Sequence, residues 1–221
     1  MIISHKHKFV FVHVTKVAGC SIADALLSVY AKDSGKHWPD MDPKEVERFS
    51  ENSIYKNATC LPQHATAGMA KNHFKKVGLD WDSYFKFAFM RNPWERMVSQ
   101  YHYGRRLISQ QNRDFEWLRY YHCDFEGFVE KMASLSGLPD YQWHYLSDYE
   151  GVLVDHIGRY ETLQMDFDDI CEKIGLPQLQ LPWVNKSEHK TYHEHYTPRT
   201  RDLIENKFYA DIALGGYTYD S

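Results

Sequence analysis

Cysteine is scarce in this chain, and so are long apolar runs and any excess of positive charge. The four cysteines (Cys20, Cys60, Cys123 and Cys171) lie far apart, with no CxxC pair among the 221 residues. That pattern offers no disulfide framework and fits free thiols in a reducing compartment. No stretch reaches the roughly 18 apolar residues of a membrane-spanning helix. The start, Met1-Ile2-Ile3-Ser4-His5-Lys6-His7-Lys8, lacks the apolar segment of a secretory signal. A cytoplasmic location without stable membrane insertion is the expectation. The formal net charge is −4, so no bulk basic field is available to hold nucleic acid, and none is expected as a partner. Any anion site must be built locally from a few placed groups.

What is present is an ordinary globular composition, 43 % hydrophobic and 25 % charged, and enough chain for a real core. No repeat or low-complexity linker divides it, so a single domain over residues 1–221 is expected. Aromatics reach 15 %, with 16 tyrosines. A tyrosine has an apolar body and a polar tip, which suits a groove for a sugar-like or aromatic acceptor.

Strands alternate with helices along the chain. Phe9 to Val14 is dense in β-branched and aromatic residues and reads as a buried strand. The loop Thr15-Lys16-Val17-Ala18-Gly19 follows. Cys20 to Tyr30 then carries Ile22, Leu26 and Val29 at helical spacing. Residues 31–62 are polar and broken by prolines, with a short helix expected after Asp42-Pro43. A helix is expected over 63–76 and a second buried strand over Tyr84 to Met90. Asn92-Pro93 opens another helix. Residues 104–123 interleave Arg105, Arg106, Arg113 and Arg119 with Trp117, Tyr120 and Tyr121; they read as an inserted lid, or as a helix with a charged outer face. Further elements are a helix from Asp124 to Met132, a strand from Val152 to Gly158, a helix from Asp166 to Ile174 stopped by Gly175, and a last helix capped by Thr197-Pro198. This order implies an α/β fold, a P-loop-like three-layer arrangement with a mostly parallel sheet flanked by helices. In such folds ligands bind beyond the carboxyl ends of the strands.

The Lys16 loop and the Arg91 segment both lie at such ends. A strand, a glycine-containing loop and a helix together make an anion site, because the first helical amides have no intrahelical partner and the dipole favours negative charge. Lys16 supplies a mobile charge, Gly19 close backbone approach, and Ser21 a hydroxyl. The lysine precedes the glycine, and GK[ST] occurs nowhere in the chain, which argues against a nucleotide kinase. Arg91 leaves the second strand and Ser99 sits eight residues on, about two helical turns away. The pair can grip a second phosphate.

His13-Val14-Thr15-Lys16-Val17-Ala18-Gly19-Cys20-Ser21 resembles the 5′-phosphosulfate loop of the carbohydrate-type sulfotransferases, written H-x-P-K-x-G-[GC]-[TS]-S. These enzymes depend on 3′-phosphoadenosine 5′-phosphosulfate (PAPS). Phe87 to Tyr101, FAFMRNPWERMVSQY, resembles their 3′-phosphate motif. Gly158-Arg159-Tyr160-Glu161, Asn185-Lys186-Ser187 and the Tyr196 to Tyr217 segment resemble later parts of the family. The 5′ loop departs from the pattern at Thr15, Ala18 and Cys20.

The resemblance implies that PAPS donates a sulfuryl group to a hydroxyl of a saccharide or small molecule. The product would be 3′-phosphoadenosine 5′-phosphate (PAP), and no metal is required. Lys16 would stabilise the leaving bridging oxygen. Ala18, Gly19, Cys20, Ser21 and Ile22 would hold the 5′-phosphate, Arg91 and Ser99 the 3′-phosphate, and Lys186 and Ser187 would close over the nucleotide. His64 is the candidate base and His13 the second choice. His189, His193 and His195, with Glu188 and Glu194, form no complete zinc set. Two alternatives stand beside this one: a P-loop-like small-molecule kinase, and a non-catalytic PAP-binding protein.

Overall fold

The computed structural model describes residues 1–29, 61, 63–110, 116–135, 140–182 and 191–221. The helix expected after Asp42-Pro43, the Lys186 and Ser187 positions, and Cys60, Arg113, Glu188 and His189 lie outside them. In chain order the main elements are β1 (Ile2–Ser4), β2 (Phe9–Val12), α1 (Gly19–Ser28), α2 (Ala67–Val77), β3 (Phe85–Met90), α3 (Pro93–Ser109), a 3₁₀ segment (Glu116–Tyr121), α4 (Phe125–Ser134), α5 (Gln142–Leu146), β4 (Ser147–Asp148), β5 (Gly151–Val152), β6 (His156–Arg159), α6 (Leu163–Lys173), α7 (Pro198–Lys207) and α8 (Tyr209–Gly215). They group into two compact units, Met1–Met90 with Gln142–Val184, and Arg91–Tyr141 with Asn185–Ser221.

The first unit is mixed α/β. Its sheet has the order β1-β2-β3-β6. β2, β3 and β6 run parallel, and β1 joins β2 antiparallel. β2 is Phe-Val-Phe-Val with every residue at 0 % exposure, as a strand flanked by neighbours and covered on both faces must be. Each such side chain contributes about 1.5–3 kcal/mol relative to exposure. Lys86 is the polar exception in β3. It is buried, and its Nζ pairs with Asp155 at 3.0 Å. The Asp155 amide also donates to the Lys86 carbonyl at 2.7 Å, and Asp155 Oδ2 accepts the Lys86 amide at 2.7 Å.

That clamp divides the strand expected over 152–158. Gly151–Val152 turns back to pair with Ser147–Asp148, and only His156–Arg159 enters the sheet. Gly158 lies opposite Phe89; a Cβ there would stand 2.5 Å from the Phe89 ring, so only glycine fits. α2 starts later than expected. The Thr66 hydroxyl caps it by accepting from the Met69 amide, and Gly78 closes it at φ 73°.

The second unit is helical. Its core gathers Trp94, Met97 and Val98 of α3, Leu118 and Tyr121 of the 3₁₀ segment, Phe128 and Val129 of α4, and Ile204 and Phe208. Residues 104–109 continue α3. At Gly104 the Tyr121 ring would stand 2.2 Å from any Cβ, so the missing side chain seats the 3₁₀ segment on α3. Thr197 and Thr200 form a reciprocal capping box with Pro198 in the first turn of α7. The single last helix expected there is two, α7 and α8, broken at Phe208.

Candidate active site

The Lys16 loop belongs to the first unit. After β2 the chain folds tightly, with the Val14 amide 3.2 Å from the Val12 carbonyl. Lys16 at φ 64° and Ala18 at φ 60° are both left-handed, a conformation that costs a Cβ-bearing residue about 1–2 kcal/mol. Val17 between them is fully buried and pins the turn. α1 then starts at Gly19. Its N-cap, Ala18, makes no side-chain hydrogen bond, and the first turn holds no acidic residue. Among the described residues no side-chain cap is made at the N-terminus of α1, which suits an incoming anion.

Lys16 and Cys20 are half-buried, and Ser21 is buried. The Cys20 thiol is pushed up in pKa by burial and then by Asp24, so it stays protonated and is a poor nucleophile. Ile22 departs from the phosphate-holding expectation. Its amide closes the first turn onto the Ala18 carbonyl at 3.2 Å, and its side chain is core.

His64 meets this loop from 51 residues along the chain: its Nδ1 lies 2.9 Å from the His13 carbonyl. A carbonyl only accepts, so Nδ1 carries the hydrogen and the neutral ring keeps its lone pair on Nε2. The residue is exposed, and Nε2 is the nitrogen a base would use. His64 precedes α2 rather than opening it. His13 is buried, and burial first, then the nearby N-terminal ammonium and His64, hold its pKa well below the ordinary 6.5.

The second unit holds Arg91 and Ser99, both buried. Arg91 Nη2 pairs with Glu95 at 2.9 Å. The start of α3 is held firmly. Asn92 Oδ1 accepts the Trp94 amide at 3.0 Å, while its Nδ2 donates to the carbonyls of Thr218 and Ser221, each at 3.0 Å. Trp94 Nε1 donates to the Arg201 carbonyl at 3.0 Å, and the Tyr196 hydroxyl to the Trp94 carbonyl at 2.9 Å. Arg96, fully buried, pairs with Asp140 at 2.7 Å.

Three roles were not foreseen in the sequence: the tail that holds Asn92, the Asp140 partner of Arg96, and the His13 ring seated against Gly19, where a Cβ would stand 2.0 Å from its Nε2. The first two cross more than 40 residues of chain, and no local pattern marks them. Among the described residues no cluster of three or more metal-ligating side chains occurs, and no helix is long and apolar enough to cross a membrane.

The sulfotransferase family profile matches residues 1–218. The chain belongs to the sulfotransferase family. This family member is 25 % identical over 238 aligned residues to carbohydrate sulfotransferase 11 of Mus musculus, covering 96 % of this chain, and equally to that of Rattus norvegicus. It spans 61 % of the length of those relatives. An uncharacterised protein of Archaeoglobus fulgidus is 36 % identical over 100 residues, which is 44 % of this chain and 73 % of the archaeal one. No solved structure matches.

Proposed function

We propose that this chain transfers a sulfuryl group from PAPS to a hydroxyl, with a saccharide as the favoured acceptor class. Membership of the sulfotransferase family supports sulfuryl transfer in general. The mammalian relatives, named as carbohydrate sulfotransferases, favour a sugar hydroxyl. The single observation that carries the assignment is the His64 to His13 hydrogen bond, because it holds a proton acceptor beside the donor loop with Nε2 available.

Each residue then has a task. The amides of Gly19, Cys20 and Ser21 and the Ser21 hydroxyl receive the 5′-phosphate at the start of α1. The Lys16 ammonium neutralises charge on the oxygen that bridges phosphorus and sulfur as its bond to sulfur breaks and PAP leaves. His64 Nε2 takes the proton of the acceptor hydroxyl as its oxygen bonds to sulfur. Arg91 and Ser99 are assigned the 3′-phosphate on the motif resemblance. As in phosphoryl transfer, positioning and stabilisation of developing charge do the chemistry.

The test joins binding and turnover. PAP should raise the melting temperature and ATP with magnesium should not. Labelled sulfate from PAPS should pass to a member of a saccharide, lipid and phenol panel. Lys16→Ala should abolish that transfer, Arg91→Ala should weaken PAP binding, and His64→Ala should lower turnover while sparing PAP binding. Wild-type transfer by Lys16→Ala would falsify the assignment. A PAP shift with no transfer to any acceptor would return the chain to a nucleotide-binding role.

A further inference from the structure

The proposed chemistry uses only the backbone carbonyl of His13, yet its imidazole sits at a junction. The ring stacks on Phe11, centroids 5.6 Å apart. It meets the His64 ring edge-on at 4.7 Å, with the planes at 71°. It also lies against Gly19, where a Cβ would stand 2.0 Å from Nε2. One side chain thus touches both the first residue of α1 and the candidate base, while the carbonyl of the same residue accepts the His64 Nδ1–H bond.

We propose that His13 is a positioning residue that couples the donor loop to the base, a role that rests on the sulfuryl transfer proposed above. The ring sets how closely Gly19, and with it the start of α1, approaches β2. The same ring braces the exposed His64 imidazole against the carbonyl, which keeps Nε2 outward. A shift of the loop at Gly19 therefore moves the brace behind His64. Electrostatics suits this use. A second cation 4.7 Å from His64 would oppose its taking a proton. Burial keeps His13 neutral instead.

The experiment reads tautomer, affinity and turnover on the full chain. Imidazole ¹⁵N NMR should show His64 as the Nδ1–H tautomer in the wild type. In His13→Ala the tautomers should mix, and PAP affinity by calorimetry should fall by about tenfold, as for the loss of a packed contact. His13→Phe, which keeps a flat ring on Phe11 and Gly19, should restore both. If His13→Ala does not fold, His13→Leu fills the volume without the flat ring and serves in its place. In turnover, the His13 truncation should cost kcat in the presence of His64 and nothing further in His64→Ala.

An unchanged His64 tautomer together with unchanged PAP affinity overturns the coupling, as does an equal loss of kcat in both His64 backgrounds. No PAP binding and no sulfate transfer by the wild type together remove the sulfuryl-transfer assignment and this role with it, whereas full turnover by His64→Ala removes only the base role of His64 and the coupling that rests on it. The two failures are therefore told apart.

Discussion

At Ala18 the chain places a methyl-bearing residue at φ 60°, where the related pattern has glycine. The strain of a left-handed Cβ exceeds the extra freedom glycine has in the unfolded chain. Ala18→Gly should therefore raise the unfolding free energy by about 1 kcal/mol in urea titrations; a lower midpoint would show that the methyl is doing useful packing.

His13 gives a second consequence at this scale. Its pKa is ordinarily 6.5 and is lowered in the folded protein by burial. Below pH 6.5 the unfolded chain takes up a proton that the folded chain resists. Stability is thus complete above that value and is lost as pH falls toward the lowered one, by up to about 1.4 kcal/mol per pH unit for each such group. Melting temperature should drop between pH 7 and 5, and His13→Phe should reduce the drop. The remainder belongs to the Met1 amine, which burial lowers to about 5, and to His5, His7 and His156, which burial also lowers. An identical pH slope in His13→Phe would remove His13 from this account.

At the scale of elements, the start of α3 depends on residues at the far end of the chain. Asn92 caps the helix with its oxygen and holds the tail carbonyls of Thr218 and Ser221 with its nitrogen. Asn92→Ala should cost about 2 kcal/mol, the upper end for a cap, because the tail contact goes with it. Thr197→Ala, which breaks the capping box of α7, should cost about 1 kcal/mol. Denaturant melts of both variants check the order; an equal cost would mean that the tail contact adds nothing. The tail also packs by rings: Tyr219 stands edge-on to Trp94 at 5.6 Å, and the Arg201 guanidinium lies over it at 4.4 Å. Arg91 is therefore presented by a helix start that is fastened on several sides.

At the scale of the whole molecule, neither unit is a continuous piece of chain. The first is interrupted by residues 91–141 and resumes at Gln142. Its sheet needs the later segment, since β6 pairs with β3 from Phe87 to Met90. A fragment ending at Tyr141 leaves that edge of β3 unpaired and apolar, a template for association. Residues 1–141 expressed alone should aggregate or melt without cooperativity. A monomeric fragment with a sharp thermal transition by circular dichroism and size-exclusion chromatography would contradict this. Long-range strand pairing of this kind ties the two halves of the chain into one folding problem.

The sequence by itself determined the buried strands, the Asn92-Pro93 and Thr197-Pro198 helix starts, the mostly parallel α/β class, and the two motifs that mark the family. Each of these is local: a run of apolar residues, a capping side chain followed by proline, a fixed spacing over a few turns. The tertiary structure alone decided what lies across the chain. It turned Ala18 into a left-handed cap, buried Lys86 against Asp155 and so split an expected strand in two. It also gave Arg96 its partner in Asp140 and brought His64 onto the carbonyl of His13. Those contacts depend on which segments meet after folding, and no period or spacing in one stretch of residues records the identity of a partner 50 positions away.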